Sequence, residues 1–114
     1  MKVLVCGGRD FADADFVDYA LSAIRRKHGD FAIIQGGALG ADALAKGYGV
    51  REGLPVIEVA APWEKYDKRA GTLRNTWMLE YCEPDVVVAF KGGRGTAHMV
   101  RIARERGVNV WDLG

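Results

Sequence analysis

The pattern that most restricts this chain occurs three times: an apolar run, a glycine-rich turn, then residues at helical spacing. Its fullest copy is Val86-Val87-Val88-Ala89-Phe90, then Lys91-Gly92-Gly93-Arg94-Gly95-Thr96, then Ala97-His98-Met99-Val100. The earlier copies are Lys2-Val3-Leu4-Val5-Cys6 with Gly7-Gly8-Arg9-Asp10, and Phe31-Ala32-Ile33-Ile34-Gln35 with Gly36-Gly37-Ala38-Leu39-Gly40-Ala41-Asp42. A run that is apolar at nearly every position is a strand buried on both faces, as in a parallel sheet covered by helices. A glycine turn after such a strand leaves backbone N–H groups bare. The helix that follows adds its own unpaired N–H groups and a partial positive charge. Corners of this kind receive anions, most often phosphate.

The remaining patterns complete an alternating order. Asp13 is placed to cap a helix over 14–28, with Phe16, Val17, Ala20, Leu21 and Ile24 as its apolar stripe, a basic last turn and Gly29 as its stop. A second helix is expected over 40–52. It contains Gly47 and Gly49, each costing about 1 kcal/mol relative to alanine. Further strands are expected over 55–60, 85–90 and 108–111, and further helices over 73–81 and 96–106. Residues 61–72 form a long polar and aromatic connection, which compact domains seldom keep without a use. The fold class is therefore α/β, with three α/β/α layers around a five-stranded parallel sheet in the order 3-2-1-4-5. The turns after strands 1 and 4 flank the point where strand order reverses, and ligands in such sheets bind there, at the carboxyl ends of the strands.

Bulk properties exclude several classes. A chain of 114 residues is expected to form one domain. A net charge of +1 gives no basic field to recommend nucleic acid as a partner. Two cysteines and two histidines without grouped carboxylates make neither a disulfide framework nor a metal site. Met1-Lys2 runs straight into a strand, so no leader is read, and no apolar run nears the roughly 20 residues that span a bilayer. A cytoplasmic setting fits, and no cofactor is called for.

The candidate ligand-binding residues are Gly7, Gly8, Arg9, Asp10, Gly36, Gly37, Gly40, Asp42, Arg74, Asn75, Gly92, Gly93, Arg94, Gly95 and Thr96. Glycine also simply relieves tight corners, but three such corners on one edge favour a site. Asp10 can bond a ribose hydroxyl or brace its loop. Asp42 suits the first turn of a helix with or without a ligand. Thr96 can bond a phosphate or cap its helix. Arg74 opens a helix where the dipole does not favour it, which points to a ligand contact, and Asn75 beside it can read a base or ribose. Arg94 can clamp a phosphate. Trp63 and Tyr66 can stack on a base or anchor the loop, and His98 is a weaker acid–base candidate. Neither GxxxxGK[ST] nor GxGxxG is present.

Taken together, Gly7-Gly8-Arg9-Asp10-Phe11, Gly36-Gly37-Ala38-Leu39-Gly40-Ala41-Asp42-Ala43-Leu44-Ala45, Trp63 with Tyr66, Gly71 with Arg74-Asn75 and Met78-Leu79, Pro84-Asp85, and Gly92-Gly93-Arg94-Gly95-Thr96 resemble the YspA-related branch of the SLOG superfamily. The resemblance covers nearly the whole chain. It implies a Rossmann-like fold and a nucleotide-like or ADP-ribose-like ligand. The superfamily includes the Lonely Guy phosphoribohydrolases and the DNA-processing protein DprA, and its members often form dimers, so a homo-oligomer is expected, with Trp77, Met78 and Tyr81 either at such a face or in the core. Lonely Guy enzymes carry a PGGxGTxxE motif whose glutamate serves catalysis. Aligning the glycines puts Lys91 at its proline and Met99 at its glutamate. Methionine neither moves a proton nor stabilises an oxocarbenium ion, so phosphate binding carries over and the hydrolase mechanism does not. Asp10, Asp42 and Glu64 are the residues that could replace the missing carboxylate. The leading expectation is a sensor or sequestering module for a nucleotide-derived ligand. An N-glycosidic hydrolase is the alternative, and a nucleic-acid accessory protein the second alternative.

Overall fold

In the computed structural model, which describes residues 1–62 and 69–114, strand β1 (Lys2–Cys6) occupies the centre of a five-stranded sheet. β2 (Ala32–Gln35) and β3 (Val56–Glu58) lie to one side of it, and β4 (Val86–Ala89) and β5 (Asn109–Asp112) to the other. Every pairing is parallel, and the order is β3-β2-β1-β4-β5. The expected fold class and strand order are those observed.

The central strands are apolar throughout because they feed two cores. Val3 and Val5, with Ile33, Val86 and Val88, face helices α1 (Ala14–His28) and α2 (Ala41–Glu52). Leu4 and Cys6, with Ile34, Val87 and Ala89, face α3 (Ala70–Cys82) and α4 (Arg94–Glu105). This alternation is the two-residue period of a strand, and both of its phases are buried here.

Helix α1 has the predicted bounds. Asp13 Oδ1 accepts the Phe16 N–H at 3.0 Å, and Gly29, at φ 83°, donates its N–H to the Arg25 carbonyl at 2.8 Å. Three boundaries differ from expectation by two residues or more. β3 is shorter, ending at Glu58, because it is an edge strand paired only with β2. α3 begins at Ala70, fully buried, so packing extends the helix back through Gly71. α4 begins at Arg94 after an N-cap at Gly93, so Thr96 sits inside the first turn and does not cap the helix.

The two glycines within α2 have different causes. A Cβ on Gly49 would stand 2.6 Å from Val56 Cγ2 and 3.1 Å from Ile33 Cδ1, so glycine lets the helix lie close on the sheet. A Cβ on Gly47 would meet nothing within 4 Å. Gly47→Ala is therefore expected to stabilise the fold by about 1 kcal/mol, and Gly49→Ala to destabilise it by roughly 1–3 kcal/mol through overpacking. Chemical denaturation of the two variants checks both signs.

Candidate ligand-binding site

All three glycine turns lie at the carboxyl edge of the sheet, and the β1–α1 turn ties them together. The Gly8 N–H donates to the Lys91 carbonyl at 2.8 Å, joining it to the β4–α4 turn. The Gly8 carbonyl accepts the N–H groups of Phe11 and of Ala41, each at 3.2 Å, joining it to the start of α2. Glycine is required where the turns touch. A Cβ on Gly40, at φ 75°, would collide with the carbonyl oxygen of Gly8 and stand 2.6 Å from that of Arg9. A Cβ on Gly92 would collide with the Thr96 hydroxyl and stand 2.7 Å from the Gly8 nitrogen.

The turns enclose a cleft of about 1050 Å³. Of the candidate ligand-binding residues within the described part of the chain, all line it except Gly40, which packs against the β1–α1 turn, and the weaker acid–base candidate His98 is not in the lining. The lining also includes apolar residues that sequence reasoning did not assign to a site, Phe11, Leu39, Ala60, Ala61 and Met78. Leu39 carried a readable signal: it is a large apolar residue among small ones in a turn, and it is 66% exposed. Trp63, Glu64 and Tyr66 lie outside the described residues.

Two of the turns are chemically opposite. In the β2–α2 turn the N–H groups are consumed internally. Asp42 Oδ2 accepts those of Gly36 at 3.1 Å and Ala38 at 3.2 Å, and Gln35 Oε1 accepts that of Gly37 at 2.6 Å. Gln35, fully buried, also donates from Nε2 to Glu58 at 2.9 Å. The expectation of bare donors is therefore corrected for Gly36, Gly37 and Ala38, whose N–H groups already serve side chains of the same chain. In the β4–α4 turn the first helical bond runs from the Ala97 N–H to the Gly93 carbonyl at 3.0 Å. The N–H groups of Arg94, Gly95 and Thr96 precede it and have no intrahelical acceptor. Gly93 and Gly95 are not demanded by packing either, since a Cβ on each would meet nothing within 4 Å. Glycines that packing does not require, at a helix start, suit close approach of a ligand to the backbone.

Arg74 and Asn75 of α3 bridge these two turns. Arg74 Nη1 donates to the Gly36 carbonyl at 2.7 Å, and Arg74 Nε donates to Asn75 Oδ1 at 3.2 Å. Asn75 Nδ2 donates to the Gly95 carbonyl at 3.1 Å and lies 3.1 Å from His98 Nδ1. Burial lowers the His98 pKa, with Arg101 adding to the effect. The neutral ring thus favoured has an acceptor nitrogen to offer Asn75. Both α3 side chains thus build the site from within. Arg74 keeps donors to spare, because a guanidinium has five and two are engaged here. Its charge is partly desolvated, which pulls its pKa down, while Asp42 pulls it up.

Asp42 is 6% exposed. Burial raises its pKa against the opposing effects of the Ala38 N–H, Arg74 and the Gly36 N–H. A raised folded-state value means the folded chain holds this proton more tightly than the unfolded chain does. Stability from this group is therefore lost as pH rises through the window above the usual carboxylate value. Cys6, on the cleft floor, has its thiol pushed up to about 12 by burial, then by Asp42 and Asp112. It is a protonated core thiol and not a nucleophile at neutral pH. Met99, at the position of the Lonely Guy glutamate, is fully buried in the core between α3, α4 and the sheet. Of the residues expected at an oligomer face or in the core, Met78 is core and Tyr81 is 72% exposed. Among the described residues, no helix is long and apolar enough to cross a membrane, and no cluster of histidine, cysteine and carboxylate could hold a metal ion.

A parallel sheet in this order, with an open helix N-terminus at its switch point, defines a Rossmann-like fold with a cleft at the carboxyl edge of its sheet. The chain belongs to the YspA, cpYpsA-related SLOG family, whose model matches residues 1–66. It is 37% identical over 121 residues to the Gene 61 protein of Mycobacterium phage D29, across 99% of this chain and 96% of that protein. Its fold is similar to that of the Moco carrier protein from Chlamydomonas reinhardtii, with a TM-score of 0.60 and 18% identity, over 96% of this chain and 74% of that one.

Proposed function

We propose that this protein binds a phosphate-bearing, nucleotide-derived or ADP-ribose-like small molecule at the carboxyl edge of its sheet, as a sensor or sequestering module. The observation that carries the reading is the open first turn of α4 facing the large shared cleft. There the unpaired N–H groups of Arg94, Gly95 and Thr96 and the helix dipole receive the phosphate. Arg94 and Arg9, both exposed where they line the cleft, add charge, and the exposed apolar side chain of Leu39 takes a planar base. A small-molecule carrier built on a similar fold is in keeping with this use of the cleft. Hydrolysis is the weaker reading. Met99 is packed in the core and, of the three carboxylates that could replace its glutamate, Asp42 holds the β2–α2 turn, Glu64 lies outside the described residues, and Asp10 alone is left lining the cleft.

A thermal-shift screen with nucleoside phosphates, ADP-ribose and cyclic ADP-ribose isomers tests the reading, with chromatography of the same mixtures. A ligand of the folded state raises the midpoint by mass action, and it should be recovered intact. Gly93→Asp is the decisive variant. Aspartate is a better N-cap than glycine, and space for its Cβ is open, so the fold should hold or gain slightly. The new carboxylate then competes with the ligand phosphate, and affinity should fall roughly tenfold to a hundredfold, equivalent to about 1.4–2.8 kcal/mol. Thr96→Val should weaken binding in the same direction. Unchanged affinity in both variants would remove phosphate from the β4–α4 turn.

A further inference from the structure

The cleft is polar in a directed sense. At its β4–α4 end the backbone offers donors. At its β2–α2 end the Gly36, Gly37 and Ala38 donors are spent, and Asp42 offers an acceptor beside the Arg74 guanidinium. Asp42 Oδ2 carries both backbone bonds, whereas Oδ1 carries none. Among the described residues, no fully buried side-chain nitrogen or oxygen lacks a hydrogen-bond partner, so Oδ1 is open to the cleft that Asp42 lines. The carboxylate is otherwise buried, with a residue exposure of 6%. The charge of Asp42 balances the part-buried Arg74 guanidinium, but holding the two N–H groups does not itself call for one. An asparagine oxygen would accept the same two N–H groups without the burial cost of a carboxylate. A buried, rigidly held carboxylate oxygen aimed into a cavity recognises a hydrogen-bond donor and repels an anion.

We propose that Asp42 Oδ1 accepts a hydroxyl of the ligand's sugar, so that the cleft selects a ribose 5′-phosphate unit over the same unit lacking its 2′- and 3′-hydroxyls. The inference rests on the phosphate reading of the β4–α4 turn, which sets the ligand's direction: phosphate on α4, sugar hydroxyls toward α2. Losing such a hydroxyl leaves the buried oxygen without a donor, and sites built to bond a hydroxyl discriminate strongly against analogues without it.

The test measures binding of three probes by calorimetry: AMP, 2′,3′-dideoxy-AMP, and purine riboside 5′-monophosphate, which lacks the base amine. Wild-type protein should bind AMP and the purine riboside monophosphate alike, and the dideoxy compound at least tenfold more weakly. Asp42→Asn keeps an oxygen for the Gly36 and Ala38 N–H groups and turns an amide NH₂ toward the cleft. It should lose most of the wild-type preference for AMP over the dideoxy compound, the ratio of the two affinities falling at least tenfold. Equal binding of AMP and dideoxy-AMP by the wild type would overturn the hydroxyl contact and leave the phosphate reading standing. A penalty on the purine riboside instead would reassign the donor to the base amine and also overturn it. Binding of none of the three would overturn both. The wild-type comparison does not depend on how the variant folds.

Discussion

Gly40→Ala is expected to be the most damaging small substitution in this protein. The residue sits at φ 75° and ψ −127°, a conformation that costs any L side chain of order 1–3 kcal/mol. The added methyl would also strike the Gly8 carbonyl oxygen, and it has rigid backbone, not a yielding side chain, in its way. Relief would require the β1–α1 turn to move away from α2, breaking the bond from the Ala41 N–H to the Gly8 carbonyl. A loss of at least about 3 kcal/mol follows, which lowers the melting midpoint by roughly 12 °C for a domain of this size. Differential scanning calorimetry reads the outcome. A midpoint within a few degrees of wild type would mean that the corner is looser than this packing allows.

Met99→Glu, which would restore the residue of the Lonely Guy motif, is expected to unfold the chain and not to create an enzyme. Met99 is fully buried among Leu4, Cys6, Met78, Leu79 and Val87. A carboxylate placed there has no partner, and it must either stay charged in an apolar core or take up a proton at a cost. The penalty is roughly 4 kcal/mol or more, against a total stability of about 5–15 kcal/mol for typical domains. The variant should be partly unfolded at neutral pH and recover as the pH falls toward 5, where protonation removes the charge. The sign is that of a raised folded-state pKa: the folded form gains as protons bind. Circular dichroism across that pH range checks it. A folded variant releasing free base from a nucleotide would show that α4 can rotate this position into the cleft.

The layout of the fold was legible because burial on both faces leaves a plain mark. Val3-Leu4-Val5 and Val86-Val87-Val88 have no polar alternation, and the glycine turns and Asp13 punctuate the elements. Most of the cleft was legible for a related reason, since topology alone carries each βα turn to one edge. What the sequence does not display is which turn keeps its donors. Gly36-Gly37 and Gly92-Gly93 look alike, yet Asp42 and Gln35 reach back to the first pair, and among the described residues no carboxylate reaches back to the second. Arg74 and Asn75 read as ligand contacts because an arginine opposes the helix dipole. In the fold, the Gly36 carbonyl accepts from that arginine across a sequence separation of 38 residues. Helix starts moved for similar reasons: Ala70 is drawn into α3 by its burial, and Gly93 replaces Thr96 at the cap of α4.

The most direct test of the phosphate reading is a ¹⁵N-resolved NMR titration of the wild-type protein with AMP. Binding as proposed should move the amide signals of Arg94, Gly95 and Thr96 most, and those of Gly36 and Ala38, already bonded to Asp42, less. Large shifts confined to Gly36–Ala38, or none at the start of α4, would contradict a phosphate bound at the β4–α4 turn.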